Sequence, residues 1–194
     1  MKILLVNGPP RSGKDTMGGV LSRLARTKTK HVLDTKLAKA LKEMAHDAFC
    51  EVKGLSHDTF EDCKDVPQQR LGGRTWREVY IAFSEKLCKP LFGQDYWARL
   101  VLDEIDLNEQ DYPLDYVIIT DCGFQVEVDS IVDWAGGRGH TVVLLRMSRE
   151  GCDFSKDSRE TVDLRGRGTR INVSNNGPIS NLDAIASVVL GGAS

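Results

Sequence analysis

The run Lys2-Ile3-Leu4-Leu5-Val6-Asn7 leads straight into Gly8-Pro9-Pro10-Arg11-Ser12-Gly13-Lys14-Asp15-Thr16, after which Met17, Val20, Leu21 and Leu24 recur with helical spacing. A short strand apolar on both faces belongs in the middle of a parallel sheet covered by helices. The nonapeptide between strand and helix has the parts that phosphate binding needs. Its glycines let backbone N–H groups close around an anion, the helix N-terminus adds positive potential, and Lys14 reaches the β and γ phosphates. A loop that merely joins strand to helix has no use for that lysine at that spacing. Gly8, Pro9, Pro10, Arg11, Ser12, Gly13, Lys14, Asp15 and Thr16 are therefore assigned to a nucleotide phosphate site.

The position after the lysine, usually Ser or Thr, is Asp15, and Thr16 follows it. Thr16 then meets a phosphate and helps hold magnesium. Asp15 has two readings, a contributor to the metal shell or an acidic residue favoured in a first helical turn. Magnesium also needs a carboxylate at the end of a buried strand. Tyr116-Val117-Ile118-Ile119-Thr120-Asp121 places Asp121 at the carboxyl edge, where α/β proteins bind ligands, with a turn aspartate as the alternative. His31, His46, His57 and His140 have no metal-like spacing.

Further β-branched runs at Val117–Thr120 and Thr141–Arg146, a short one at His31–Leu33 and a last one at Arg170–Val173 complete a five-stranded parallel sheet. Between them apolar residues fall on single helical faces: Leu37, Leu41, Met44 and Ala48; Trp76, Tyr80, Phe83 and Leu87; Val128, Ile131 and Val132; Leu182, Ile185 and Val189. The fold class is α/β, a three-layer α/β/α domain over residues 1–194. A polar stretch from about Glu51 to Arg74 lacks a sustained period and opens an acceptor-side insert of about 51–95; the charged stretch of about 148–170 reads as a lid.

The chain has 26 Lys plus Arg against 28 Asp plus Glu, so a grossly basic nucleic-acid coat is excluded and any such contact must be a local patch. Cys50, Cys63, Cys88, Cys122 and Cys152 are odd in number with no Cys-x-x-Cys pair, the pattern of reduced thiols. No apolar run approaches the ~20 residues of a membrane span, and the N-terminal run is shorter than a signal-peptide core. A cytoplasmic protein is expected.

The chain resembles the phage deoxynucleoside monophosphate kinase-like group of P-loop kinases over nearly its whole length. The resemblance rests on Arg11-Ser12-Gly13-Lys14-Asp15-Thr16, Thr75-Trp76-Arg77-Glu78 opening a helix, Phe92-Gly93-Gln94-Asp95-Tyr96-Trp97, Asp121 with Glu127 behind it, Arg146 after the next strand, and Asn175-Asn176-Gly177 before the final helix. It implies a P-loop NTPase fold of the nucleotide-kinase type, with ATP as donor and Mg2+ as cofactor. It also implies that Arg77 contacts the acceptor and that Asn175 to Gly177 border the donor adenine. The group commonly carries Asp-x-Arg-Phe at the strand end, whereas this chain reads Asp121-Cys122-Gly123-Phe124. Without that arginine, and with Gly151-Cys152-Asp153-Phe154 and Asp157-Ser158-Arg159 in the lid, the chain looks more like the phage kinases that phosphorylate 5-hydroxymethyluracil within DNA.

The residues expected to act follow from phosphoryl-transfer chemistry, which is positioning plus charge stabilisation. Lys14 and the loop hold ATP, and Thr16 and Asp121 organise magnesium. Among Arg146, Arg149, Arg159, Arg165 and Arg167, Arg149 and Arg159 are the first choices for neutralising the transferred group. Asp34 is the candidate base for a hydroxyl acceptor, or else a helix N-cap. Arg165-Gly166-Arg167-Gly168-Thr169-Arg170 forms a cationic strip suited to DNA phosphates, and Trp97 is the candidate for stacking on an extruded base. Trp76 and Tyr80 share a helical face, the pattern of core residues. Three readings follow: a kinase of 5-hydroxymethyluracil in DNA, a kinase of free deoxynucleoside monophosphates, and a nucleotide-binding module without transfer.

Overall fold

The computed structural model describes residues 1–49, 63–155 and 157–191. Cys50, His57 and the first part of the polar stretch after Glu51 lie outside them. The chain divides into two compact units, one of residues 1–36 and 98–194 and the other of residues 37–97. The second unit therefore begins at the helix carrying Leu41 and Met44, well before the expected 51.

In the first unit, strands β1 (Lys2–Asn7), β2 (Val32–Thr35), β3 (Tyr116–Cys122), β4 (Thr141–Ser148) and β5 (Thr169–Ser174) form a five-stranded sheet in the order β2-β3-β1-β4-β5. Every neighbouring pair is parallel. β1 is central, and the chain leaves it toward β3 and β2 on one side and β4 and β5 on the other. That reversal opens a crevice at the carboxyl end of β1, where the nonapeptide starts. Ile3, Leu4, Leu5 and Val6 are fully buried, as a strand covered on both faces requires. Helix α1 (Lys14–Thr27) packs Met17, Val20 and Leu21 against Leu4, Val6 and Ile118, and the last helix (Ile179–Val189) adds Leu182, Ala186 and Val189 to the same cluster.

The second unit holds α2 (Ala38–Phe49), a 3-10 turn (Gln69–Leu71), α3 (Trp76–Phe83), a π turn (Ser84–Cys88) and α4 (Lys89–Phe92). Thr75 opens α3 with a capping box: its hydroxyl accepts from Glu78 N at 3.1 Å and its amide donates to the Glu78 carboxylate at 2.8 Å. Trp76 and Tyr80 are core residues packed with Ala45, and the His46 ring meets Tyr80 Oη at 2.6 Å. The apolar face read through Trp76, Tyr80 and Phe83 does not continue to Leu87, which is exposed. The π turn adds a residue to the helical repeat and rotates it outward.

Helix α5 (Tyr96–Asp111) has no counterpart in the sequence-based assignment. Its buried residues Trp97, Ala98, Val101, Leu102 and Ile105 follow a 3-4 spacing, so the signal was present. Helix α6 (Gln125–Gly137) and the final helix α7 (Ile179–Val189) carry the apolar faces expected of them. Among the described residues, no helix is long and apolar enough to cross a membrane.

The stretch between β4 and β5 is not a loose lid over its second half. Val162 and Leu164 are buried, each worth roughly 1.5–3 kcal/mol of apolar burial. The Asp163 carboxylate between them accepts from Arg146 at 2.7 Å, Arg170 at 2.8 Å and the amide of Arg165 at 2.6 Å. This is a strap fixed along the sheet edge.

Candidate phosphate-binding site

Residues 8–16 turn from β1 into α1 through two left-handed positions, Arg11 at φ 64° and Gly13 at φ 96°. Gly13 is the N-cap of α1 and supplies no side chain to the first-turn amides, so those N–H groups point at the crevice. Glycine suits that backbone, and the Asn175 side-chain amide also occupies the space a Cβ at 13 would take, donating to Ser12 O at 2.9 Å. The loop is thus stitched to the segment after β5.

Lys14 folds back onto its own loop, its ammonium donating to Gly8 O and Pro9 O at 2.7 Å each. Burial and the charge of Arg159 push Lys14 below the usual lysine range, against the opposing charges of Asp15, Asp157 and Asp121. A cation kept below its ordinary affinity for a proton gains from an incoming polyanion. The electrostatic neighbours of Lys14 include two residues expected to join it, Asp121 and Arg159.

Arg159 is gripped side-on by Asp157, Nε at 2.8 Å and Nη2 at 2.6 Å, and that hydrogen bond, more than burial opposes it, holds Asp157 below the ordinary carboxylate range. Its stem crosses Gly123: a Cβ built at 123 would lie 2.6 Å from both Cβ and Cδ of Arg159. Gly123 is the position at which the resembled group carries an arginine. Here the aliphatic stem of Arg159, from the strap, crosses that place.

Asn175 N donates to Ser148 O at 2.8 Å, and Asn176 Oδ1 accepts from Glu150 N at 2.8 Å. A cavity of about 400 Å³ beside this turn is lined by Thr16, Arg149, Asn175, Gly177, Ile179 and Leu182 among others. It has apolar residues for a base and is continuous with the first turn of α1. Arg149 lines this cavity together with Thr16 of the phosphate loop.

Other expected residues sit elsewhere. Asp34 is the penultimate residue of β2, near its carboxyl end and not at an N-cap; its carboxylate accepts from Ser22 Oγ at 2.5 Å and Arg26 at 3.3 Å, facing α1. The side-chain alternation of a strand puts it there. Lys36, just past β2, pairs with Asp15 at 2.8 Å, and Thr120 Oγ1 donates to the same carboxylate at 3.4 Å. Burial opposes, but the hydrogen bond and charge of Lys36 prevail and hold Asp15 below the usual range. Arg165 pairs with Asp129 at 3.2 Å, and Arg167 with Asp129 at 2.6 Å and with Asp133, so α6 neutralises the expected cationic strip. In the second unit, Trp97 is 3% exposed and donates from Nε1 to Ser84 Oγ at 2.9 Å, a core position with no face for stacking. Arg77 there pairs with Asp65 through Nε at 2.5 Å and Nη2 at 3.2 Å.

Sequence reasoning missed Asn7. It is 1% exposed, and its side-chain amide donates to Cys122 O at 2.8 Å and Glu160 O at 2.9 Å, tying β3 and the strap to β1. A polar residue closing an otherwise apolar strand was the available signal. Lys36 had none, because its partner comes from a different element.

The residues fit a magnesium nucleotide. Ser12 Oγ is buried in the loop without a hydrogen-bond partner among the described residues, and a phosphate oxygen would supply one. Thr16 and Asp121 are hard oxygen donors of the kind magnesium takes. Among the described residues no three His, Cys, Asp or Glu side chains converge as a metal cage, so phosphates and water would complete the shell.

No family model matches the chain, and no curated protein matches its sequence. Solved structures do. A protein described as a "putative kinase" from Chloroflexus aurantiacus is similar at 14% identity and TM-score 0.52, over 100% of this chain and 98% of that one. The likeness is one of fold. A gluconokinase from Sinorhizobium meliloti (14% identity, 97% of this chain, 91% of that one, TM-score 0.44) and the tunicamycin resistance protein of Deinococcus radiodurans (13%, 98%, 95%, 0.46) are more distant. The five-stranded parallel sheet with its flanking helices is thus a P-loop α/β/α fold.

Proposed function

We infer that the chain is an ATP-dependent phosphotransferase acting on a deoxynucleotide acceptor. The observation that carries this is the loop of residues 8–16 at the N-terminus of α1, where Lys14 is held on the carbonyls of Gly8 and Pro9 and the buried Ser12 Oγ has no hydrogen-bond partner among the described residues, beside a cavity of about 400 Å³. The adenine of ATP lies against Ile179, Leu182 and the Asn175–Gly177 turn, and the phosphates run along the first-turn amides of α1. Lys14 exchanges the carbonyls of Gly8 and Pro9 for the β and γ phosphates. Thr16 and Asp121 would hold magnesium, which would supply neutralisation of the donor phosphate charge. Arg159 stabilises the negative charge on the transferred group. The bond from the γ phosphorus to the β–γ bridging oxygen breaks, a bond to the acceptor oxygen forms, a hydroxyl acceptor's proton passes to solvent, and ADP leaves.

For the acceptor, the resemblance favours the 5-hydroxymethyl group of 5-hydroxymethyluracil in DNA, on the strength of Asp121-Cys122-Gly123 without an arginine. A free deoxynucleoside monophosphate is the second reading. It gains from the pairing of Arg165 and Arg167 with Asp129 and Asp133 and from the burial of Trp97, which remove the strip and the stacking face that DNA was expected to use. The test offers γ-labelled ATP with the free monophosphates in one tube and hydroxymethyluracil-containing DNA in another. Label in the DNA supports the first acceptor; label in the monophosphates alone replaces it with the second.

A further inference from the structure

An arginine on a chain segment without regular structure gives up much of its rotamer freedom when fixed, and a misplaced catalytic charge forfeits most of its effect. Arg159 is fixed from three sides. Its stem lies on Gly123, at a distance no other residue at 123 would allow. The next amide, Glu160 N, donates to Gly123 O at 2.8 Å. Asn7 then receives the strap through Glu160 O at 2.9 Å and Val162 N at 3.4 Å, while holding β3 by Cys122 O at 2.8 Å. Asn7 precedes the phosphate-binding loop and Gly123 follows the strand that ends in Asp121 and Cys122. The groups that set the position of Arg159 are therefore continuous with those that set the position of Lys14 and Asp121.

We propose that Asn7 and Gly123 are positioning residues that hold Arg159 against the transferred phosphoryl group; this rests on the phosphotransferase reading above. Gly123 has no positive φ, so its role is space for the Arg159 stem and not backbone freedom. The group that Arg159 meets lies beyond the phosphates of ADP, so the space at Gly123 bears on the transferred group more than on ADP.

The test compares binding of ADP alone with ADP plus aluminium fluoride, a mimic of the transferred group, in the full chain. Gly123→Ala is expected to bind ADP within about threefold of the unsubstituted protein and to lose ~10-fold or more of the affinity gained with fluoride. Gly136→Ala, in α6 with open space around it, is expected to change neither. In an Arg159→Gly background, which removes every side-chain atom that a Cβ at 123 would meet, Gly123→Ala should cause no further loss, because it acts through Arg159. Unchanged fluoride affinity in Gly123→Ala, or a full additional loss in the double variant, overturns the positioning role and leaves the phosphotransferase reading standing. An unsubstituted protein that gains no affinity with fluoride overturns that reading, and this inference with it. Should Gly123→Ala not fold, the Arg159 Nε–H resonance of the unsubstituted protein decides: a shift with ADP plus fluoride and none with ADP supports the proposal, and an unmoved signal contradicts it.

Discussion

Lys36, the residue after β2, reaches 2.8 Å to the carboxylate of Asp15, the second residue of α1. The pair ties the start of the phosphate-binding helix to the residue after β2 and gives the Asp15 carboxylate a cationic partner. Asp15→Asn should leave the magnesium concentration for half-maximal turnover within about twofold, whereas Asp121→Asn should raise it by ~10-fold or more. A magnesium titration of both variants separates the two carboxylates.

Asp34 is bound to α1 through Ser22 and Arg26. Asp34→Asn should therefore keep full turnover and cost ~1 kcal/mol of stability, the worth of a weakened hydrogen bond. Turnover and a urea midpoint on the same preparation check this.

Lys14 is held low by burial and by Arg159 in the nucleotide-free protein, and bound phosphates favour its charged form. Its affinity for a proton must then rise on binding. Nucleotide binding should take up protons at alkaline pH, the uptake fading as falling pH charges Lys14 in the nucleotide-free protein as well. Calorimetry in buffers of different ionisation enthalpy reads the uptake, and Lys14→Met should abolish it.

Trp97 fills the interior of the second unit and donates to Ser84. Trp97→Ala should destabilise by about 3–5 kcal/mol. Trp97→Phe should cost less while leaving acceptor KM unchanged. Thermal melts and acceptor kinetics on the phenylalanine variant distinguish a packing role from a stacking one.

Arg165 and Arg167 make exposed ion pairs with Asp129 and Asp133, each worth about 0–1 kcal/mol. Charge reversal of Asp129 should lower the melting temperature modestly. Arg167→Ala should leave ATP binding unaltered in an equilibrium dialysis assay.

The strand, loop and helix around Lys14 were legible because each declares itself locally: an apolar run, glycines at fixed offsets, then a 3.6-residue period. The Thr75 capping box is local in the same way. What escaped depends on partners distant in sequence. Nothing near Arg165 or Arg167 announces the carboxylates of α6, and nothing near Asp34 announces Ser22. Trp97 looked polar because Gln94 and Asp95 precede it, while α5, which buries it, carries its apolar period downstream. The π turn escaped because it changes the helical period at one point, at Ser84–Cys88, so that Leu87 falls outside a face that Trp76 and Tyr80 define.

The most direct test of the account is transfer of label from γ-labelled ATP by the full chain, compared with Lys14→Met and Asp121→Asn at equal protein concentration. The account predicts label on a deoxynucleotide acceptor, free or within DNA, with both variants reduced by ~100-fold or more. Label on neither acceptor from a folded, ATP-binding protein, or equal transfer by the Lys14→Met variant, would contradict it.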